Sequence, residues 1–269
     1  MISINGIKVE PIHFPAGELG VHLTPEQMHQ SPLLRKGHYL VEWQFEHSGE
    51  FFVLAQIIDA LKYSLRPHTK PKIDLYISYF PYARQDRVVN DGEANALKVF
   101  CTALNSLELE SINTLDPHSL AVEQHFDVGR FSYVTQVDAF AKNAPDIMKT
   151  DISVVVAPDA GAVKKAQKIA DLLGADLVVC NKTRDKLTGK VIGLTVSNPD
   201  LIRSAKRILV ADDICDGGAT FIAVAEAVTK LTQVPLYLYT THGIYSKGKA
   251  VLLNHYDEIA CAYDFTTGE

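Results

Sequence analysis

A chain of 269 residues, 47% hydrophobic and 22% charged, is long enough for one large core or two cores of about 130 residues each. Its formal net charge of −6 and pI near 5.9 exclude binding to nucleic acid or anionic lipid through the overall field, so any phosphate ligand must be held by local groups. The start MISINGIKVE lacks the pattern of a secretory leader, and no run approaches the roughly 18 apolar residues of a membrane span. Cys101, Cys180, Cys215 and Cys261 stand apart, without C-x-x-C or zinc-ligand spacing, which fits reduced, packed thiols. The expectation is a cytoplasmic protein with no nucleic-acid or membrane partner.

In chain order, apolar residues at spacings of three and four predict a helix over Glu50–Leu65, and IDLYIS predicts a strand over Ile73–Ser78. A helix follows over Glu93–Leu107. Next come a strand at Ile152–Pro158, a helix at Ala162–Gly174, and strands at Asp176–Cys180 and Arg207–Asp213. A helix over Ala219–Leu231 and a strand over Pro235–Thr241 complete the set. Several strands are apolar enough to be covered on both faces, as in parallel sheets, and their alternation with helices means α/β layers. The polar, Pro-containing stretch KNAPDIMKT divides the chain into domains 1–143 and 144–269. DKLTGKVIGLTV reads as a hairpin turning at Thr188–Gly189.

The stretch LVADDICDGGAT (Leu209–Thr220) carries the most chemistry. An apolar strand stops at Asp212 and Asp213, Asp216 follows, and Gly217 and Gly218 lead through Ala219 and Thr220 into a helix. A glycine turn before a helix N-terminus offers unpaired N–H groups to an anion. Acids beside such a cradle repel the anion unless they bind sugar hydroxyls or a metal. A ribose phosphate satisfies both halves of the loop.

VADDICDGGAT resembles the ribose 5-phosphate loop of the type I phosphoribosyltransferase fold. YFPYARQDR (Tyr79–Arg87) resembles the ATP-binding signature of phosphoribosyl pyrophosphate synthetases, also called ribose-phosphate pyrophosphokinases. Further stretches agree in order: LDPHS (Leu115–Ser119), HFDV (His125–Val128), APDAGAVKKAQKIADLLGADL (Ala157–Leu177) as the pyrophosphate loop with its helix, and NKTR (Asn181–Arg184) as the base of the catalytic flap. The resemblance runs from about Phe14 to Phe265. It implies two type I phosphoribosyltransferase-like domains, each a mostly parallel sheet flanked by helices. It also implies an enzyme of nucleotide biosynthesis that moves the β,γ-diphosphoryl group of Mg-ATP to ribose 5-phosphate.

Residue by residue, the resemblance makes Lys182 and Arg184 catalytic. Arg84, Gln85 and Asp86 become ATP contacts, Asp159, Ala160 and Gly161 the pyrophosphate loop, and His118 and Asp159 ligands of Mg²⁺. Oxygen-seeking Mg²⁺ makes the histidine the chemically weaker ligand. FPAGE (Phe14–Glu18) resembles a loop that reaches a neighbouring subunit's ATP site, with Phe14 on adenine and Glu18 on its amino group, so a homodimer or higher homo-oligomer is expected. Four positions depart from the family's pattern: Ala16, Pro117, Ala162 and Gly217. The short ends imply little dependence on inorganic phosphate. A non-catalytic synthetase-associated subunit would alter the flap, and a phosphoribosyltransferase acting on a base would lack the ATP signature.

Overall fold

The computed structural model describes residues 1–29, 34, 37–64, 70–184 and 191–267, with the backbone alone for 182–184, 191 and 192. The chain divides into two units, Met1–Val134 and Thr135–Glu269.

The first unit opens with a hairpin of β1 (Ile2–Ile4) and β2 (Ile7–Val9), turned at Asn5 and Gly6, both at positive φ. A two-residue pair, β3 (Ile12–His13) and β4 (Leu19–Gly20), follows, then α1 (Pro25–Met28) with a Thr24/Gln27 capping box. Next come β5 (His38–Trp43), α2 (Glu50–Ser64), β6 (Lys72–Ile77), α3 (Ala96–Ser106), β7 (Ser111–Leu115), a 3₁₀ turn (Leu120–His125) and β8 (Phe131–Val134). The sheet order is β2-β1-β5-β6-β7-β8, parallel from β5 to β8. Alternate residues Tyr39, Val41, Trp43, Ile73, Leu75 and Ile77 pack with α2 and α3 into one core. The other face of these strands is polar. Asp74 Oδ2 lies 2.8 Å from His38 Nδ1, Ser111 Oγ donates to Asp74 Oδ1 at 2.6 Å, Asn113 Nδ2 to Ser111 Oγ at 3.1 Å, and Ser132 Oγ to Asn113 Oδ1.

The second unit contains α4 (Gln136–Asn143), a 3₁₀ turn (Asp146–Met148), β9 (Val154–Ala157), α5 (Val163–Leu173), β10 (Asp176–Arg184) and β11 (Val191–Val196). Then follow α6 (Pro199–Ser204), β12 (Ile208–Cys215), α7 (Ala219–Thr229), β13 (Leu236–Gly243), α8 (Ala250–Leu253) and β14 (Glu258–Asp264). The order is β11-β10-β9-β12-β13-β14, with β11 antiparallel at one edge. Both faces are covered, as the apolar strands require. Val155, Ala157, Leu209, Ala211, Tyr237 and Tyr239 pack with α4 and α5, while Val154, Val156, Ile208, Val210 and Leu238 pack with α6, α7 and α8.

The division at Val134/Thr135 lies earlier than the expected 143/144. The reason is α4, whose Phe140 meets Tyr239 of β13 edge-on, ring centroids 4.9 Å apart. Cys101 is buried in the first unit's core, and Cys180 and Cys215 in the second's; desolvation pushes these three thiols up to about 12.

Candidate active site

In the second sheet the chain runs from β9 outward to β10, then crosses back to β12 on the other side of β9. The carboxyl ends of β9 and β12 therefore flank a topological switch point, where open α/β sheets hold their ligands. Asp159–Ala162 leaves β9 there, and Asp212–Thr220 leaves the end of β12. In the first sheet the strands β5 to β8 are added in sequence order, with no such reversal.

Asp159 Oδ1 accepts from the N–H groups of Gly161 at 2.9 Å and Ala162 at 3.3 Å. The short carboxylate at the head of the turn thus takes two amides of the segment that the resemblance makes the pyrophosphate loop and its following helix. Asp212 Oδ1 accepts from Asp213 N–H at 2.8 Å. The Asp212 carboxyl is held well above the usual range, first by desolvation, then by the charge of Asp213 and, more weakly, of Asp159. Asp213, buried, receives Lys165 Nζ of α5 at 3.0 Å on Oδ2. Sequence reading missed Lys165, since nothing in a helical KK pair points to an acid on another strand.

Gly218 has φ +78° and caps the N-terminus of α7, where no side chain accepts from the first amides. A Cβ at Gly218 would lie 2.9 Å from Leu252 Cδ2, so both conformation and packing require glycine. Asp216 does not cap the helix; its Oδ1 takes a 2.6 Å bond from Ser246 Oγ. Gly217, Ala219 and Thr220 follow this turn as expected. Lys182 and Arg184 lie on the last turn of pleat in β10, paired with Leu194 and Val191 of β11 across a register shift between Thr183 and Arg184. The predicted hairpin pairing is thus present up to Arg184, and its tip at Thr188–Gly189 lies outside the described residues.

In the first unit, β6 and β7 are neighbours, so their carboxyl-end loops meet. Asp86 Oδ2 accepts from Ser119 Oγ at 2.7 Å and Oδ1 from Arg87 Nε at 2.9 Å. These bonds, Arg87 first, hold its carboxyl below the usual range. Asn95 caps α3 and donates from Nδ2 to the Asp86 carbonyl at 3.2 Å. Asp86 is therefore a tie between loops. Arg84 and Gln85 beside it are exposed, as is His118 after the buried Asp116–Pro117 pair. Phe14 and Glu18 stand on an exposed hairpin tip: Phe14 N–H donates to the Glu18 carbonyl at 3.0 Å, and Phe14 is 49% exposed, so it is no core residue.

Among the described residues no three His, Cys, Asp or Glu side chains converge as a metal cage. Mg²⁺ needs none, since one or two carboxylates plus substrate phosphates suffice. Asp159, electrostatically linked to Asp212, offers oxygen donors of that kind, so the residues present fit this ion.

Asp212→Asn is expected to raise Tm while lowering kcat/KM. The folded state binds the Asp212 proton more tightly than the unfolded chain does. Above the ordinary carboxylate range the charged residue therefore costs stability, which an amide removes while keeping an oxygen for Asp213 N–H. Thermal melts at pH 7 beside steady-state rates check both halves.

No protein-family model matches the chain. The ribose-phosphate pyrophosphokinase of Pyrococcus furiosus is 28% identical over 255 residues, covering 94% of this chain and 84% of that protein. That of Sulfolobus acidocaldarius is 28% identical over 221 residues, 82% and 71% of the two chains. The putative ribose-phosphate pyrophosphokinase 2 of Streptococcus pneumoniae reaches 31% over 188 residues, 68% of this chain and 56% of that one. The chain is thus similar to ribose-phosphate pyrophosphokinases over most of its length. The crystal structure of phosphoribosylpyrophosphate synthetase from Mycobacterium smegmatis has the same fold, with a TM-score of 0.69 at 21% identity over 88% of this chain and 73% of that one. As in the expectation, both units of the chain are α/β with mostly parallel sheets.

Proposed function

We propose that the chain is a ribose-phosphate diphosphokinase: it moves the β,γ-diphosphoryl group of Mg-ATP to the anomeric hydroxyl of ribose 5-phosphate, giving phosphoribosyl pyrophosphate and AMP. The observation that carries this reading is the switch point, where the Asp159 loop and the acid-then-glycine loop Asp212–Thr220 leave adjacent strands. Asp212 and Asp213 accept from ribose hydroxyls, and the amides that begin α7 take the 5-phosphate. Lys182 and Arg184, at the end of β10, meet negative charge that develops on the transferring phosphoryl oxygens. Arg84 and Gln85 hold ATP on the loop that Asp86 ties to Ser119. The Asp159 carboxylate would help to hold Mg²⁺, which when bound neutralises phosphate charge.

Purified protein incubated with Mg²⁺, ATP and ribose 5-phosphate should form AMP and phosphoribosyl pyrophosphate in equal amounts. A synthetase-associated regulatory subunit would form neither.

The exposed Phe14 hairpin supports an ATP site completed by a second subunit, with Phe14 stacking on adenine. Mixing inactive Phe14→Ala/Glu18→Ala subunits with inactive Arg84→Ala/Lys182→Ala subunits should restore about half the wild-type activity per hybrid dimer, because one of two isologous sites is intact. Full activity of a proven monomer would refute sharing.

A further inference from the structure

After β13 the chain folds back across the Asp212–Thr220 loop as a strap, residues 244–249, and six contacts fix it there. The N–H groups of Ile244 and Tyr245 both donate to the Cys215 carbonyl, at 2.8 and 3.1 Å. The Tyr245 ring lies so close over Gly243 that a Cβ there would come within 2.1 Å of it. Lys249 Nζ sits 5.0 Å above that ring's centroid and pairs with the buried Asp264. Ser246 Oγ closes the strap by its bond to Asp216.

Lys247 stands between these anchors. Its stem runs along Gly217: a Cβ built on Gly217 would lie 3.5 Å from Lys247 Cε and 3.7 Å from Cδ. The loop itself contributes three carboxylates, Asp212, Asp213 and Asp216, and no basic residue. Lys165 answers Asp213 and Ser246 answers Asp216. A phosphate dianion entering this loop needs positive charge supplied from elsewhere.

We propose that Lys247 is a substrate-binding residue, whose ammonium contacts the 5-phosphate of ribose 5-phosphate held over Gly217 and Gly218. The assignment rests on the reading of Asp212–Thr220 as the ribose-phosphate loop. The strap thus selects phosphorylated sugar, while the acids read its hydroxyls. Ser246 keeps Asp216 turned toward the strap and away from the incoming anion.

Lys247 is exposed and has no packing role in the core, so its removal tests binding without unfolding the unit. Lys247→Ala should weaken ribose 5-phosphate binding by calorimetry about tenfold, the worth of one charge-assisted hydrogen bond. It should raise KM for ribose 5-phosphate equally, leaving kcat, KM for ATP and Tm within error, since uniform binding is what it supplies. Lys247→Arg should keep most of the affinity, and Lys247→Glu should lose more than alanine does. Unchanged ribose 5-phosphate affinity in Lys247→Ala, or equal rises in both KM values, would overturn the assignment. Wild-type protein that binds ribose 5-phosphate through Lys247 yet forms no AMP would sink the diphosphokinase reading and leave Lys247 in place.

Discussion

Alanine at Lys182 or at Arg184 is expected to lower kcat by about 10²-fold or more and to move either KM by only a few-fold. Both residues close the long strand β10, beyond the point where its parallel pairing with β9 has ended at Val179. From there, among the described residues, its strand pairing is with β11, across a register shift. A cation at the end of such a ribbon is placed to meet charge on the reacting phosphates. Its charge counts most when negative charge is most spread, in the transition state, so its loss appears in kcat. Single-turnover rates with saturating substrates separate this from slow product release. A variant whose kcat stays near wild type takes that residue out of the catalytic role.

Gly218→Ala should cost about 2 kcal/mol, and roughly 4–8 °C in Tm, while lowering kcat/KM for ribose 5-phosphate far more than for ATP. The left-handed φ of +78° charges alanine a conformational penalty, and its methyl would press into Leu252, itself fully buried. The chain can relieve both only by turning the peptide at the start of α7, which swings the amides away from the anion. Gly218→Asn divides the two causes, because asparagine tolerates the left-handed region but keeps the clash. If Gly218→Asn matches alanine in both Tm and kinetics, packing against Leu252 dominates.

The second unit was readable because its strands are covered twice. VVVA, ILVA and LYLYTT are apolar without interruption, and such runs have few alternatives to a central parallel strand. In the first unit, HYLVEW, SINTL and FSYV alternate between a core face and a polar face, in segments too short for the period to stand out. The helix α4 went unread for a different reason: QVDAFAKN precedes a proline and looks like a linker until Phe140 is seen against Tyr239. At the candidate site, the position of the acids and glycines at a strand end was legible, since an apolar run stops at them. Lys165, Ser246 and Lys247 were not. Each reaches the loop from a distant segment, and only the crossing at β9 and β12 and the fold-back after β13 bring them there.

Three of the four cysteines, Cys101, Cys180 and Cys215, form a two-channel clock for opening of the chain. With thiols at about 12, only roughly one in 10⁴ is thiolate at pH 8, so alkylation of Cys101, Cys180 or Cys215 waits for the surrounding core to part. Cys101 timestamps the first unit, and Cys180 and Cys215 the second. Cys101 packs in the first unit's core, and Cys180 and Cys215 pack together in the core on one face of the second unit's sheet. Pulsed labelling along a denaturant series, followed by peptide mass analysis, would therefore give each unit its own opening free energy from one unmodified chain, with Cys180 and Cys215 labelled together.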